Sequence, residues 1–258
     1  MTTRTIAIAN EKGGVGKTVT VVNLAAALTR ANQKVLVVDM DPQANATRGL
    51  GVDPDRIDLS VYDLVSKPDG IDISKAIYET AWEDLDLIAS NVDLAGAEVE
   101  LVDEEGREDR LNTALSGLDN TYDFILIDTP PSLSLLTVNV FAYAKQVLIP
   151  CQTHPYSFAA LSELFDTVEA IKAEINPQIE VLGILPTFFD ARTRVSRQVL
   201  AQLQADERYR DQLFQTVVRI NTTIAESAAV GKPVVFFRQS SYGAIDYNDL
   251  ADELLEKG

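Results

Sequence analysis

A chain of 258 residues with 46% hydrophobic content can bury one large core, while a net charge of −17 excludes nucleic-acid binding through an evenly charged surface. Its one cysteine, Cys151, excludes an internal disulfide and a thiolate-only metal or iron–sulfur site within one chain. The first residues lack the apolar run and cleavage site of a signal peptide, and no stretch approaches the ~18 apolar residues of a membrane span, so a cytoplasmic protein without a membrane partner is expected.

The first predicted element is the strand "TIAIAN", which runs into "EKGGVGKT" and then into the helix "KTVTVVNLAAALTRA". The loop follows the phosphate-binding pattern G-x-x-x-x-G-K-[ST] except that Glu11 stands where the first Gly belongs, beside an additional lysine, Lys12. In that strand–loop–helix setting the backbone of Gly13, Gly14, Val15, Gly16 and Val19 is expected to cradle phosphates. Lys17 would reach the terminal phosphates and Thr18 would supply a hydroxyl to Mg²⁺.

"KVLVVDMD" is the second strand, followed by "LDLIAS", "YDFILIDT", "QVLIPCQ" and "EVLGILPTFF", all short apolar runs suited to burial on both faces. Between the last two, Leu161, Leu164, Phe165, Val168, Ile171 and Ile175 recur at helical spacing, and Asn176-Pro177 ends the helix. Strands alternating with helices predict an α/β fold, a mostly parallel twisted sheet flanked by helices on both faces. No linker, internal repeat or low-complexity tract interrupts the pattern, so residues 1–258 are read as a single domain.

Ligands of such sheets sit beyond the carboxyl ends of the strands, where Asp39, Asp41 and Asp128 fall. Thr18, Asp41 and Asp128 are the candidate Mg²⁺ set: Asp128 closes an apolar strand and suits the ion's water shell. Asp39 and Asp41 face the same side while the chain is extended, and Asp41, nearer the exit, is the candidate for orienting an attacking water. Without a phosphate loop beside them, the same pair would read as a turn before Pro42.

The charge is uneven. From Pro186 to Tyr242 there are eight basic residues against five acidic ones. Arg192, Arg194, Arg197, Arg219 and Arg238 are the candidate DNA-binding residues; the competing reading is a solvated, salt-bridged face. Arg208 and Arg210 have acidic neighbours and are expected to matter less. The lone His154 reads as a loop residue, since no metal or triad set accompanies it.

Taken in order, "NEKGGVGKT", "VLVVDMDPQANAT", "LDLIASNVDLAGAEVEL", "YDFILIDTPPSLSLLTVNVF" and "GILPTFFDARTRVSRQVL" resemble the ParA family of deviant Walker A ATPases, a P-loop NTPase group, over nearly the whole chain. The resemblance implies that Lys12 is the family's additional lysine, which reaches across an ATP-bound homodimer to the partner's phosphates. It further implies that Lys12, Lys17 and Asp41 are catalytic, that Asn221 contacts the nucleotide base, and that ATP and Mg²⁺ are the cofactors. The expected partners are a second copy, nonspecific double-stranded DNA and a ParB-like adaptor with a basic N-terminal tail that stimulates hydrolysis. Weak intrinsic turnover and a nucleoid-associated location follow from the same resemblance.

Two positions depart from the family. Val19 stands where a second threonine is common, and Thr223 replaces a common DNA-contacting arginine. Plasmid, chromosome and protein-cargo positioners share these motifs. A MinD-like membrane ATPase is an alternative, but "DYNDLADELLEKG" is acidic on its polar face and suits anionic lipid poorly. A nitrogenase-iron-protein-like reductase would need more cysteines, and a nucleotide-gated scaffold without turnover is the nonenzymatic alternative.

Overall fold

Seven strands form one sheet in the order β3-β4-β2-β5-β1-β6-β7 in the computed structural model, which describes residues 3–118 and 120–257. In chain order the elements are β1 (Arg4–Ile8), α1 (Lys17–Arg30), β2 (Val35–Asp39), α2 (Asn45–Gly49), α3 (Val61–Ser66), β3 (Ile77–Glu79), β4 (Leu85–Ile88), α4 (Leu94–Glu100) and α5 (Arg110–Leu115). There follow β5 (Phe124–Asp128), α6 (Leu135–Tyr143), β6 (Gln146–Gln152), α7 (Ser157–Glu174), β7 (Glu180–Thr187), α8 (Arg194–Ala205), α9 (Thr222–Ala229), α10 (Val234–Phe237) and α11 (Tyr242–Glu256). All neighbouring strands pair in parallel except β3, which runs antiparallel to β4. That edge strand is absent from the sequence reading: three residues are too few for a period-2 pattern to register.

Alternation along each strand divides the core into two layers. Leu36, Val38, Ile125 and Ile127 face a layer built with α3 to α8, and Ile6, Ile8, Val35, Val37 and Leu126 face one built with α1, α10 and α11. Helices on both faces explain why the strands read as continuous apolar runs. After α7, the Asn176 side-chain amide donates to Phe141 O and Ala144 O at 2.9 and 2.8 Å, fastening the turn that precedes β7.

Register then assembles the site. Asp128 pairs with Ile8 across β1–β5 and with Asp39 across β2–β5, so the carboxyl ends of three adjacent strands lie level. The loop after β1, the turn after β2 and Asp128 are therefore neighbours although they are far apart in sequence.

Candidate active site

Two glycines shape the loop between β1 and α1. Gly14 has φ 74° and Gly16 φ 94°, a region where a Cβ is strained, and a Cβ on Gly16 would also meet the Phe188 ring at 3.5 Å. Two bonds fasten the loop to the sheet: Asn10 Nδ2 donates to Pro150 O and Thr187 Oγ1 donates to Val15 O, each at 2.8 Å. The first turn of α1, with its unpaired N–H groups and positive dipole end, opens onto a cleft of about 350 Å³ lined by Gly13, Gly14, Lys17, Thr18, Asp41 and Phe188 among others.

Lys17 is buried. Its ammonium donates to Asn10 O at 2.9 Å and Lys12 O at 3.3 Å; desolvation lowers its pKa, opposed by Asp128 and Asp41. Asp128 is fully buried and neither of its oxygens has a hydrogen-bond partner among the described residues, although the Thr18 hydroxyl is near enough to favour its charged form. Desolvation, and then the charges of Asp39 and Asp41, hold its pKa well above the usual carboxylate range. Asp39 is pushed up to about 6, again mainly by burial.

Asp128 and Asp41 thus act on one ammonium, with Asp39 beside Asp128 on the next strand. Buried carboxyls whose ionisation the fold disfavours, with two orphaned oxygens on Asp128, fit a divalent cation held by oxygen ligands, with Thr18, Asp41 and Asp128 as the residues to hold it. The glycine turn and helix terminus beside them fit phosphate.

β2 ends at Asp39, so the same-side argument for an extended chain does not reach Asp41, which lies in the following turn. Asp41 lines the cleft, while Asp39 is wholly enclosed. Lys12 is half-buried at the loop's start. Its N–H donates to Asn10 Oδ1 at 2.9 Å, and its ammonium joins no ion pair among the described residues.

An apolar cavity of about 240 Å³ adjoins the cleft and shares Gly16, Val19 and Phe188 with it. Asn221 lines this cavity and caps α9, its Oδ1 accepting the Thr223 N–H at 2.8 Å. Val19 gives both spaces an apolar wall where a threonine would give a hydroxyl. Phe188 falls in the predicted strand "EVLGILPTFF", but β7 ends at Thr187 and Phe188 turns away at φ 51°, which places its ring at the cleft, a role the apolar run does not signal.

The AAA domain family model matches residues 3–181. The sporulation initiation inhibitor protein Soj of Bacillus subtilis is 44% identical over 254 residues, covering 98% of each chain. The chain belongs to the ParA/Soj family of ATPases. The chromosome partitioning protein ParA of Myxococcus xanthus is 41% identical over 256 residues, covering 98% of this chain and 88% of its own. The solved structure of cobyrinic acid a,c-diamide synthase from Mycobacterium smegmatis with bound ATP analogue and magnesium matches with a TM-score of 0.83 at 38% identity, covering 98% of this chain and 95% of that one.

This ParA/Soj-family chain divides its candidate DNA arginines into two groups. Arg192 pairs with Asp190 at 2.9 Å, Arg238 with Glu226 at 3.8 Å, and Arg219 with the buried Asp246 while stacking 4.2 Å from the Tyr242 ring centre. Arg194 and Arg197 are exposed at the start of α8 and join no ion pair among the described residues. A parallel bridge between Phe189 and Arg219 brings the two segments together on one edge. Arg208 pairs with Asp166 and Arg210 with Asp211, in line with their compensated reading. His154 is exposed, its ring 5.5 Å from that of Tyr156.

Proposed function

We propose that the chain is a DNA-partitioning ATPase that binds Mg²⁺ and ATP, pairs with a second copy while ATP is bound, holds nonspecific DNA in that state, and lets go after hydrolysis stimulated by an adaptor. The observation that carries this reading is the meeting of the glycine loop, Lys17, Asp41 and the orphaned Asp128 at three level strand ends. Phosphates would take the helix terminus and Lys17. The adenine would take the adjoining apolar cavity, whose wall beside Asn221 suits a flat heterocycle. Mg²⁺ would neutralise phosphate charge, and Asp41 would hold the attacking water's proton side toward itself.

Lys12 completes the reading. A cation that joins no ion pair among the described residues, at the start of the phosphate loop, is available to the phosphates of a second copy, and one supplied in trans is worth about 10³–10⁵ in rate where it has been measured in other phosphoryl-transfer systems. Dimerisation and ATP binding would then be linked, each strengthening the other. It would also double the edge carrying Arg194 and Arg197, giving salt-sensitive DNA binding by an otherwise acidic protein.

Two other readings fit less well. In α11 the residues Ala244, Tyr247, Leu250, Ala251 and Leu254 are already buried in the core, so its apolar face is not free to enter a membrane. A glutamine-dependent amide synthase needs a reactive thiol or another ammonia source, whereas Cys151 is buried with its pKa pushed up to about 12, chiefly by desolvation. Sedimentation and DNA retention, each run with ATP, with ADP and without nucleotide, test the proposal. Equal sedimentation and equal retention in all three conditions would overturn it.

A further inference from the structure

Asp39 is the third carboxyl at the strand ends, yet it does not line the cleft. Its oxygens are taken up within the chain: Oδ1 accepts the Asp41 N–H at 3.2 Å, and Oδ2 accepts the Thr47 N–H at 2.8 Å and the Thr47 hydroxyl at 2.7 Å. The Thr47 oxygen accepts the Ser90 N–H at 3.0 Å, and the Ser90 hydroxyl donates to Asp41 O at 2.8 Å. These bonds close a ring through Asp39, Thr47, Ser90 and Asp41, and the first three are wholly buried.

The ring grips Asp41 at both its N–H and its carbonyl. Asp41 needs this, because β2 has ended at Asp39 and the last backbone bond to the neighbouring strand is from Met40 N–H to Asp128 O at 3.1 Å. Beyond it the chain turns: Ala44 N–H donates to Asp41 O at 2.9 Å, and Ala44 itself sits at φ 52°. Within the turn, Gln43 N–H donates to Asp41 Oδ1 at 2.9 Å, which orients the carboxylate relative to its own turn but does not fix that turn relative to the sheet. A ring anchored at the ends of β2 and β4 does.

We propose that Asp39, Thr47 and Ser90 are positioning residues for Asp41, holding it where it orients the attacking water. None of them touches the cleft, so their effect on the reaction passes through Asp41. The inference rests on the reading of Asp41 as the water-orienting group. A displacement of about 1 Å in such a group costs on the order of 10²-fold in rate, so loosening the ring should lower turnover far more than ATP affinity.

The test measures steady-state ATP hydrolysis with Mg²⁺ by the full chain. Thr47→Val removes the hydroxyl at nearly constant shape and should lower kcat about tenfold or more with KM within about threefold. Thr47→Ser keeps the hydroxyl and should return kcat to within about threefold of wild type. Ser90→Ala, the milder variant should Thr47→Val not fold, should lower kcat about three- to tenfold. Added to Asp41→Ala, Thr47→Val should slow turnover no further, because the group it positions is gone.

A wild-type kcat in both Thr47→Val and Ser90→Ala, with Asp41→Ala inactive, overturns the positioning role and leaves the Asp41 reading standing. Loss in Thr47→Val that Thr47→Ser does not restore, or that adds fully to Asp41→Ala, also overturns it. Wild-type turnover in Asp41→Ala overturns the Asp41 reading, and this inference with it.

Discussion

Asp39 and Asp128 are register partners on adjacent strands, both fully buried, and each raises the other's cost of ionisation. The energetic sign is that of acids held neutral by the fold. Their folded pKa values lie above those of the unfolded chain, so the folded state binds more protons and the nucleotide-free protein loses stability as pH rises. For Asp39 the window runs from about 4, the unfolded value, to about 6; for Asp128 it extends higher.

Asp128→Asn removes the buried acid with little change of shape. At pH 7.5 the nucleotide-free variant should therefore be more stable than wild type by about 1 kcal/mol or more, roughly 2–4 °C in Tm, with the gain shrinking at pH 5.5. Mg²⁺ with ATP should raise the wild-type Tm and leave that of the variant nearly where ATP alone puts it. Thermal melts at the two pH values decide this. A variant less stable than wild type at pH 7.5 would show that Asp128 is a structural acid.

Asp41→Ala leaves Lys17, Thr18 and the glycine loop intact. It should bind ATP within about threefold of wild type while turnover falls about 10²- to 10⁴-fold, the span of a lost general base. An ATP-bound dimer should then persist for the length of a gel-filtration run. Nucleotide titration beside a phosphate-release assay checks both halves, and turnover at the wild-type rate removes Asp41 from the mechanism.

The parts of this site carried by short-range pattern were legible in the sequence. "EKGGVGKT" between a strand and a helix announces its own backbone shape, because glycines at Gly14 and Gly16 supply the positive φ that the turn needs. Asp128 was legible because an apolar strand that ends on an acid has few reasons to do so. What stayed hidden depends on register. Thr47 and Ser90 are 43 residues apart and meet only because β4 lies beside β2, and Arg219 finds Asp246 only when α11 packs back. Phe188 takes its place through a strained backbone angle that no neighbouring residue type betrays.

Lys12→Ala should bind ATP nearly as wild type, since Lys17 and the loop backbone remain, yet fail to form the ATP-dependent dimer. Turnover should fall about 10³-fold or more if the ammonium acts across the interface. Analytical ultracentrifugation with ATP and with ADP reads the assembly directly. A normal ATP dimer in the variant would return Lys12 to the status of a solvated lysine.

The arginines separate by what already holds them. Arg194 and Arg197 join no ion pair among the described residues at the positive end of α8, so Arg194→Glu combined with Arg197→Glu should abolish ATP-dependent DNA retention without changing the Tm or the dimer. Arg219 behaves differently: its backbone N–H and guanidinium both bond Asp246, which is 4% exposed on its side chain. Arg219→Ala leaves that carboxylate buried with the backbone N–H of residue 219 but without its cation, and should cost about 2–3 kcal/mol of stability, discounted from a fully buried pair because the guanidinium is partly exposed. Its loss of DNA binding would then track loss of fold. For wild type, log affinity should fall with log salt at a slope of about 0.9 per phosphate neutralised in both subunits. The double Glu variant should retain almost none of that slope. Retention on long random-sequence duplex across a salt series, paired with melts of each variant, gives the answer. Unchanged DNA binding in the Arg194/Arg197 variant would mean that the start of α8 is only a solvated surface.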